Sequence, residues 1–232
     1  MSDNTWVLRL FRHPKLIMLG LSCFYLVGLL GHLWPQTRSL VLALTPFFLV
    51  ISGAVLVLPS LVQAGGRFPV WFFGAWFLTY SIEVAGVASA VIFGPYHYGD
   101  TLGPTILAVP PVIGFNWVMV VLGAMASLRW LPGPKVVQAL GVGCLCTLFD
   151  CVMEPVAVAN GYWAWNGNSI PLQNYLAWFL IAFALSWSAL RMLKRPARGG
   201  ELCDHLLIFG FLAQGWFFLV QNLVILTVRH SV

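Results

Sequence analysis

The chain has 232 residues, 60% of them hydrophobic and 8% charged, with a net charge of +5. Soluble domains carry roughly 25% charged residues, so this composition excludes an ordinary water-soluble domain and points to a polytopic membrane protein. The basic residues are scattered over the breaks between apolar runs, which argues against nucleic-acid binding and makes them markers of membrane orientation.

A run must cover roughly 30 Å of hydrocarbon to cross a bilayer as a helix. The first such run, Leu16–Leu33, follows the charged segment Met1–Arg12. No small-residue cleavage site follows it, so it is expected to stay as a span and not to be removed as a signal peptide. Further runs fall at Leu40–Val62, Pro69–Phe93, Pro104–Leu128, Val136–Val158, Leu172–Leu193 and His205–Val228. The breaks carry turn chemistry: Trp34-Pro35, Gly65-Gly66, Gly94-Pro95, Leu131 through Pro134, Asn166-Gly167 and Pro196 through Gly200. The expected fold is all-α and integral to the membrane, a single transmembrane domain over 1–232 with seven transmembrane helices. Arg9, Arg12, Lys15, Arg67, Arg129, Lys135, Arg191, Lys194, Arg195 and Arg198 all lie on one side of that topology, and only Arg38 and Arg229 on the other. Positive charge marks the cytoplasm, so the N-terminus is expected inside and the C-terminus outside, in the cell's inner (plasma) membrane.

Three acids lie within the apolar runs with no lysine or arginine beside them: Glu83, Asp150 and Glu154. A charge at helix centre costs at least about 2.5–3.5 kcal/mol, so such acids are functional candidates by default. Each also has a plainer role open to it. Asp150 and Glu83 would serve as hydrogen-bonding glue between helices, and Glu154 would satisfy backbone groups freed by the kink at Pro155.

A weak internal repeat relates the acids. Glu83 precedes Tyr98 by fifteen residues, as Asp150 precedes Trp165. In the same alignment Tyr96-His97-Tyr98 falls on Trp163-Ala164-Trp165, and Pro110 and Trp117 match Pro171 and Trp178. Helix pairs 3–4 and 5–6 then read as a parallel repeat, with Glu83 and Asp150 at similar depth on neighbouring helices. Glu154, four residues after Asp150, shares its face one turn further out. The loops Gly94–Asp100 and Gly161–Asn168 would cap the same outer end.

Several chemistries lack their residues. Helix 7 has no lysine for a retinal Schiff base, and the five histidines form no cluster of the kind a di-iron site needs. No P-loop or dinucleotide fingerprint is present. The five cysteines read as small core hydrophobes, with neither a disulfide framework nor a metal site expected. Acid–base chemistry without metal or cofactor remains.

Six stretches carry a family resemblance: Ile82 through Gly86, Phe93 through Tyr98, Val109-Pro110 before Asn116-Trp117, Asp150 through Ala157, Gly161 through Trp165 and Ile170 through Trp178. Together they resemble the integral-membrane carotenoid biosynthesis family that includes bisanhydrobacterioruberin hydratase and the γ-carotene 1′-hydratase of bacteria. The likeness covers helices 3 to 6, about half the chain. It implies cofactor-independent addition of water across the terminal C1–C2 double bond of an acyclic ψ end group, giving a tertiary alcohol. A more distant similarity links the family to membrane-bound lycopene cyclases. Val152 and Ala177 stand where the family has a small residue and a glycine, departures that bear on the identity of the substrate.

Both readings meet on the same residues. Protonating an alkene needs a positioned acid and a stabilised cation. Asp150 or Glu83 would be the donor, with the other as water-orienting base and Glu154 as the third candidate. Tyr96, Tyr98, Trp163 and Trp165 would face the cation. Asn116 and Asn174 would hold water, and Trp117 and Trp178 would line the substrate or pack the hairpins together. The expected partners are a carotenoid, the bilayer and other enzymes of carotenoid biosynthesis. A lycopene-type cyclase is the alternative enzyme. A non-catalytic carotenoid- or lipid-binding protein, or a transporter, is the alternative of another class, although same-orientation copies and unbroken helices oppose transport.

Overall fold

Proline sets where the helices begin. A computed structural model describes Phe11 and residues 13–63, 66–167, 169–193 and 200–229, and among these are seven α-helices. They are α1 (Pro14–Leu33), α2 (Pro35–Gln63), α3 (Arg67–Ser89), α4 (Pro111–Ser127), α5 (Lys135–Ala159), α6 (Leu172–Met192) and α7 (Gly200–Arg229). Pro14, Pro35 and Pro111 occupy the first turns of α1, α2 and α4, and Pro134 and Pro171 immediately precede α5 and α6. Proline is preorganised for that position, where its missing N–H leaves no helical bond unmade. Six helices are long and apolar enough to cross a membrane, and α4, at 17 residues, is shorter. The chain is therefore a multi-pass helical membrane protein.

Two of the expected spans shrink. Helix 3 stops at Ser89 rather than Phe93, because Ala90 turns left-handed (φ 56°) and its N–H closes back onto the Gly86 carbonyl at 2.9 Å. Helix 4 begins at Pro111 rather than Pro104. Ahead of it, Ile106 and Val109 exchange both backbone hydrogen bonds around Leu107 and Ala108, each at positive φ (52° and 63°). That is the geometry of a tight primed turn, which glycine or asparagine usually signals and which apolar residues here conceal. In the other direction, α2 starts at Pro35 and α7 at Gly200, earlier than the apolar runs suggest.

The short helix is the central one. α4 packs on α2, α3, α5, α6 and α7, whereas α1 docks on α2 and α7. Val118, Val121 and Ala124 of α4 have no exposed surface. Small residues let the neighbouring backbones approach. Gly114 lies under the Trp76 carbonyl, Gly123 faces the Leu207 carbonyl, and Gly143 of α5 faces that of Phe179.

The described basic residues divide between the two ends. Arg129 pairs with Asp204, and Lys135 Nζ donates to the Leu190 carbonyl, both at the end where α4 finishes and α5 starts. Arg38 lies at the opposite end, donating to the Ala159 carbonyl at 2.9 Å and the Asn160 side chain at 3.3 Å. Arg9, Arg12, Lys194, Arg195 and Arg198, used above to orient the chain, lie outside the described residues, as do Gly65 and Asn168 of the expected turns.

At the Arg38 end the two aromatic loops join. Strand β1 (Tyr96–Tyr98) pairs antiparallel with β2 (Trp163–Trp165), Tyr96 opposite Trp165 and Tyr98 opposite Trp163. Gly99 N–H to the Tyr162 carbonyl and Asn166 N–H to the Pro95 carbonyl extend the ladder, both at 3.0 Å. The segments aligned by the repeat are thus each other's partners. Gly94 (φ 105°) supplies the left-handed residue that leads into β1. Gly99 is needed for closeness instead: a Cβ there would run into the Gly161 carbonyl. Gly99→Ala should destabilise the roof by about 1–3 kcal/mol through overpacking. A detergent melting series checks this against Gly74→Ala, where an added Cβ meets nothing within 4 Å.

Candidate active site

Alternation along β1 and β2 throws the four large rings to one face, over the helix ends. The hydroxyls of Tyr96 and Tyr98 donate to Glu83 Oε2 at 2.5 and 2.7 Å, and the Trp117 indole donates to Oε1 at 2.6 Å. Burial, and next the Glu83 charge beside them, push both phenols above their ordinary range, so their O–H groups remain available to donate. His97, on the opposite face of β1, is exposed and lies 3.3 Å from the Asn166 side chain.

Glu154 takes the second strand. Trp163 and Trp165 both donate to its Oε2, at 3.1 and 2.9 Å. Its Oε1 faces the Asn174 amide at 3.4 Å, and that same amide donates to Asp150 Oδ2 at 2.7 Å. One side chain of α6 therefore bridges two acids on successive turns of α5. Asp150 has no exposed surface, and its Oδ1 has no partner among the described residues. Its bond to Asn174 is the helix-to-helix contact expected of a structural acid, whereas Glu154 is engaged by indoles and not by backbone at the Pro155 kink.

The offset of the repeat pairs Glu83 with Asp150, but the carboxylate that receives its own hairpin's aromatic strand, as Glu83 does, is Glu154. Helix length is the reason. Glu83 lies six residues before the end of α3, Glu154 five before the end of α5, and Asp150 nine before it.

These groups surround a cavity of about 300 Å3. Glu83 and Glu154 line it, as do Tyr96, Tyr98, Trp163, Trp165, Asn116, Trp117, Asn174 and Trp178. Asp150 stands behind Glu154, outside the lining residues. Trp117 and Trp178 stack with ring centres 3.7 Å apart and planes 21° from parallel, so they join α4 to α6 and form wall at once. Every binding candidate read from the sequence is therefore at one site. On the α1–α2 side, Val27, Phe47 and Ile51 line the cavity while 64%, 63% and 54% exposed, so the wall there is continuous with the apolar outer surface.

Sequence reasoning missed the walls from α1, α2 and α7. Tyr25, His32 and Gln214 line the cavity. His32 holds its Nδ1 2.7 Å from the Gly28 carbonyl. Gln214 was readable in principle, as a polar residue inside an apolar run, but it lies outside the helices that carry the resemblance.

Aromatic-roofed acids in a greasy chamber suit an isoprenoid, and sequence comparison agrees. The profile of the family described as "Carotenoid biosynthesis protein" matches residues 44–230. This chain belongs to that family. The matched carotenoid biosynthesis region contains all three acids, the roof and the stacked tryptophans. Among curated proteins the chain is similar to the bisanhydrobacterioruberin hydratase of Haloarcula japonica, 30% identical over 154 residues. The match takes in 60% of this chain and 52% of that protein, so about half of the relative's length is represented. No solved structure matches the chain significantly.

Proposed function

We propose that this chain is a carotenoid hydratase, adding water across the terminal C1–C2 double bond of an acyclic ψ end group. The observation that carries the reading is the pair of buried glutamates, Glu83 and Glu154, facing one apolar cavity under four aromatic rings. Family membership and the hydratase relative support carotenoid modification.

The hydrogen bonds support the following roles. Indole N–H groups only donate, so Glu154 Oε2, which accepts two of them, cannot carry a proton on the same lone pairs. A proton on Glu154 sits on Oε1. There it can pass to C2 of the alkene, leaving a tertiary cation at C1 and a carboxylate held by two indoles. Asp150, reaching the same amide, positions Asn174 and Oε1. Glu83, with three donors fixed on it, is the second carboxylate and takes the proton released when water adds. The aromatic faces of Tyr96, Tyr98, Trp163 and Trp165 stabilise the cation, each by several tenths to ~2 kcal/mol. The net reaction consumes one alkene and one water; each turnover leaves Glu154 ionised and Glu83 protonated, and a proton returned from Glu83 to Glu154 restores the starting state.

The hairpin end is taken as the outer face, with the more basic end in the cytoplasm of the cell's inner membrane. Expression in cells that accumulate lycopene, followed by chromatography with mass spectrometry, tests the reading. A product heavier by one water is expected. An isomer of unchanged mass would make the chain a cyclase, and unaltered pigment bound to the purified protein would make it a binder.

A further inference from the structure

A smaller cavity of about 20 Å3 lies against the large one, deep in the bundle between α1, α2, α4 and α7. We propose that it is the water site of the reaction, with Asn116 and Gln214 holding the molecule that captures the cation. The inference rests on the hydratase reading and adds the residues that decide the product.

Its size and chemistry both fit. A cavity needs roughly 10–15 Å3 to hold one water, and the water needs two to four polar partners. Four polar side chains line this one: Tyr25, Ser52, Asn116 and Gln214. Gln214 Nε2 donates to Asn116 Oδ1 at 3.1 Å, which leaves Asn116 Nδ2 and Gln214 Oε1 without a further partner among the described residues. That is one donor and one acceptor held in register, so a water can both accept from and donate to the pair. Ser52 donates its own proton to the Phe48 carbonyl at 2.6 Å, keeping lone pairs free, and Tyr25 meets the Ser52 side chain. Tyr25, Asn116 and Gln214 also line the large cavity, so the two spaces share a wall made of the groups that would hold the water.

Such a site is what the chemistry requires. The C1 cation has three fates: it bonds to a water oxygen, loses a proton to reform an alkene, or is captured by a neighbouring double bond. The last two need no second reactant, only a carboxylate to take up a proton. In an apolar chamber the first wins only if a water is already in place. When it adds, the oxygen's lone pair forms the C–O bond and the oxonium proton leaves to a carboxylate, giving the alcohol.

The test is product partition in Asn116→Leu, Gln214→Leu and the double variant, assayed in membranes of lycopene-accumulating cells grown in ordinary water and moved into D2O only for the assay. We expect the hydrated share of product to fall at least tenfold in the double variant. Substrate should still be protonated, which appears as isomers of unchanged skeleton mass and as deuterium entering recovered lycopene. If the leucine variants do not accumulate in the membrane, Gln214→Met, which keeps the side-chain length, reports the same shift. Hydration persisting at the parent share in the double variant would overturn the water site alone. Loss of hydration together with loss of deuterium uptake, in a variant that still accumulates, would also overturn it, by showing that these residues act before the cation forms. A parent protein that yields no hydrated product from any acyclic carotenoid would instead overturn the hydratase reading itself.

Discussion

Glu154→Gln should cut conversion of an acyclic carotenoid by about a hundredfold or more, with the protein still folded in the membrane. The glutamine carbonyl can take the place of Oε2 and accept both indole N–H groups, so the roof keeps its anchor. The amide then stands where Oε1 stood, with no proton acidic enough for an alkene. Its contact with Asn174 becomes donor against donor, but that contact is already long at 3.4 Å, and Asn174 keeps its bond to Asp150. Product per unit of membrane protein, read by mass spectrometry beside a detergent melting curve, separates lost chemistry from lost fold. Residual activity within tenfold of the parent would remove Glu154 from the donor role. Asp150→Asn should cost less, because Asp150 reaches the substrate only through its neighbours.

Glu83→Leu should be the most destabilising single change at the site. It strips the acceptor from three donors at once, and each buried donor left unpaired costs about 1–3 kcal/mol. The Tyr96 and Tyr98 hydroxyls face the cavity and can turn to water, whereas Trp117 is 2% exposed and pinned by its stack on Trp178. The penalty therefore concentrates on the indole. Trp117→Phe in the Glu83→Leu background should recover part of the loss in detergent melts, with a coupling on the order of 0.5–3 kcal/mol. It should recover none of the conversion. Additive losses would mean that the Trp117 bond does not hold Glu83 in place.

Much of this molecule could be read from its residues, for a physical reason. Lipid tolerates so few unneutralised acids that Glu83, Asp150 and Glu154 stand out against the apolar runs, and the aromatic loops stand out as well. What the residues could not convey is who bonds to whom. Asp150 and Glu154 lie one turn apart; the repeat aligned by spacing pairs Glu83 with Asp150, whereas the indoles of Trp163 and Trp165 donate to Glu154. Helix ends were hidden for a related reason. Val91 to Phe93 and Ile106 to Val109 are apolar and extend the runs, and the turns at Ala90, Leu107 and Ala108 use residues that normally avoid positive φ. The walls from α1, α2 and α7 were hidden because Tyr25, Ser52 and Gln214 each stand singly in an apolar stretch, and their meaning emerges when they meet Asn116.

The modest size of the chamber has a consequence for traffic in the membrane. On the hydratase reading, a chamber of about 300 Å3 takes the tip of a carotenoid and not the whole of its polyene. The rest of the molecule must trail out past Val27 and Phe47 into lipid. On the same reading, a carotenoid with two like ends would be served in two separate visits, released and turned round between them. The half-altered pigment would then be a free species in the bilayer between visits.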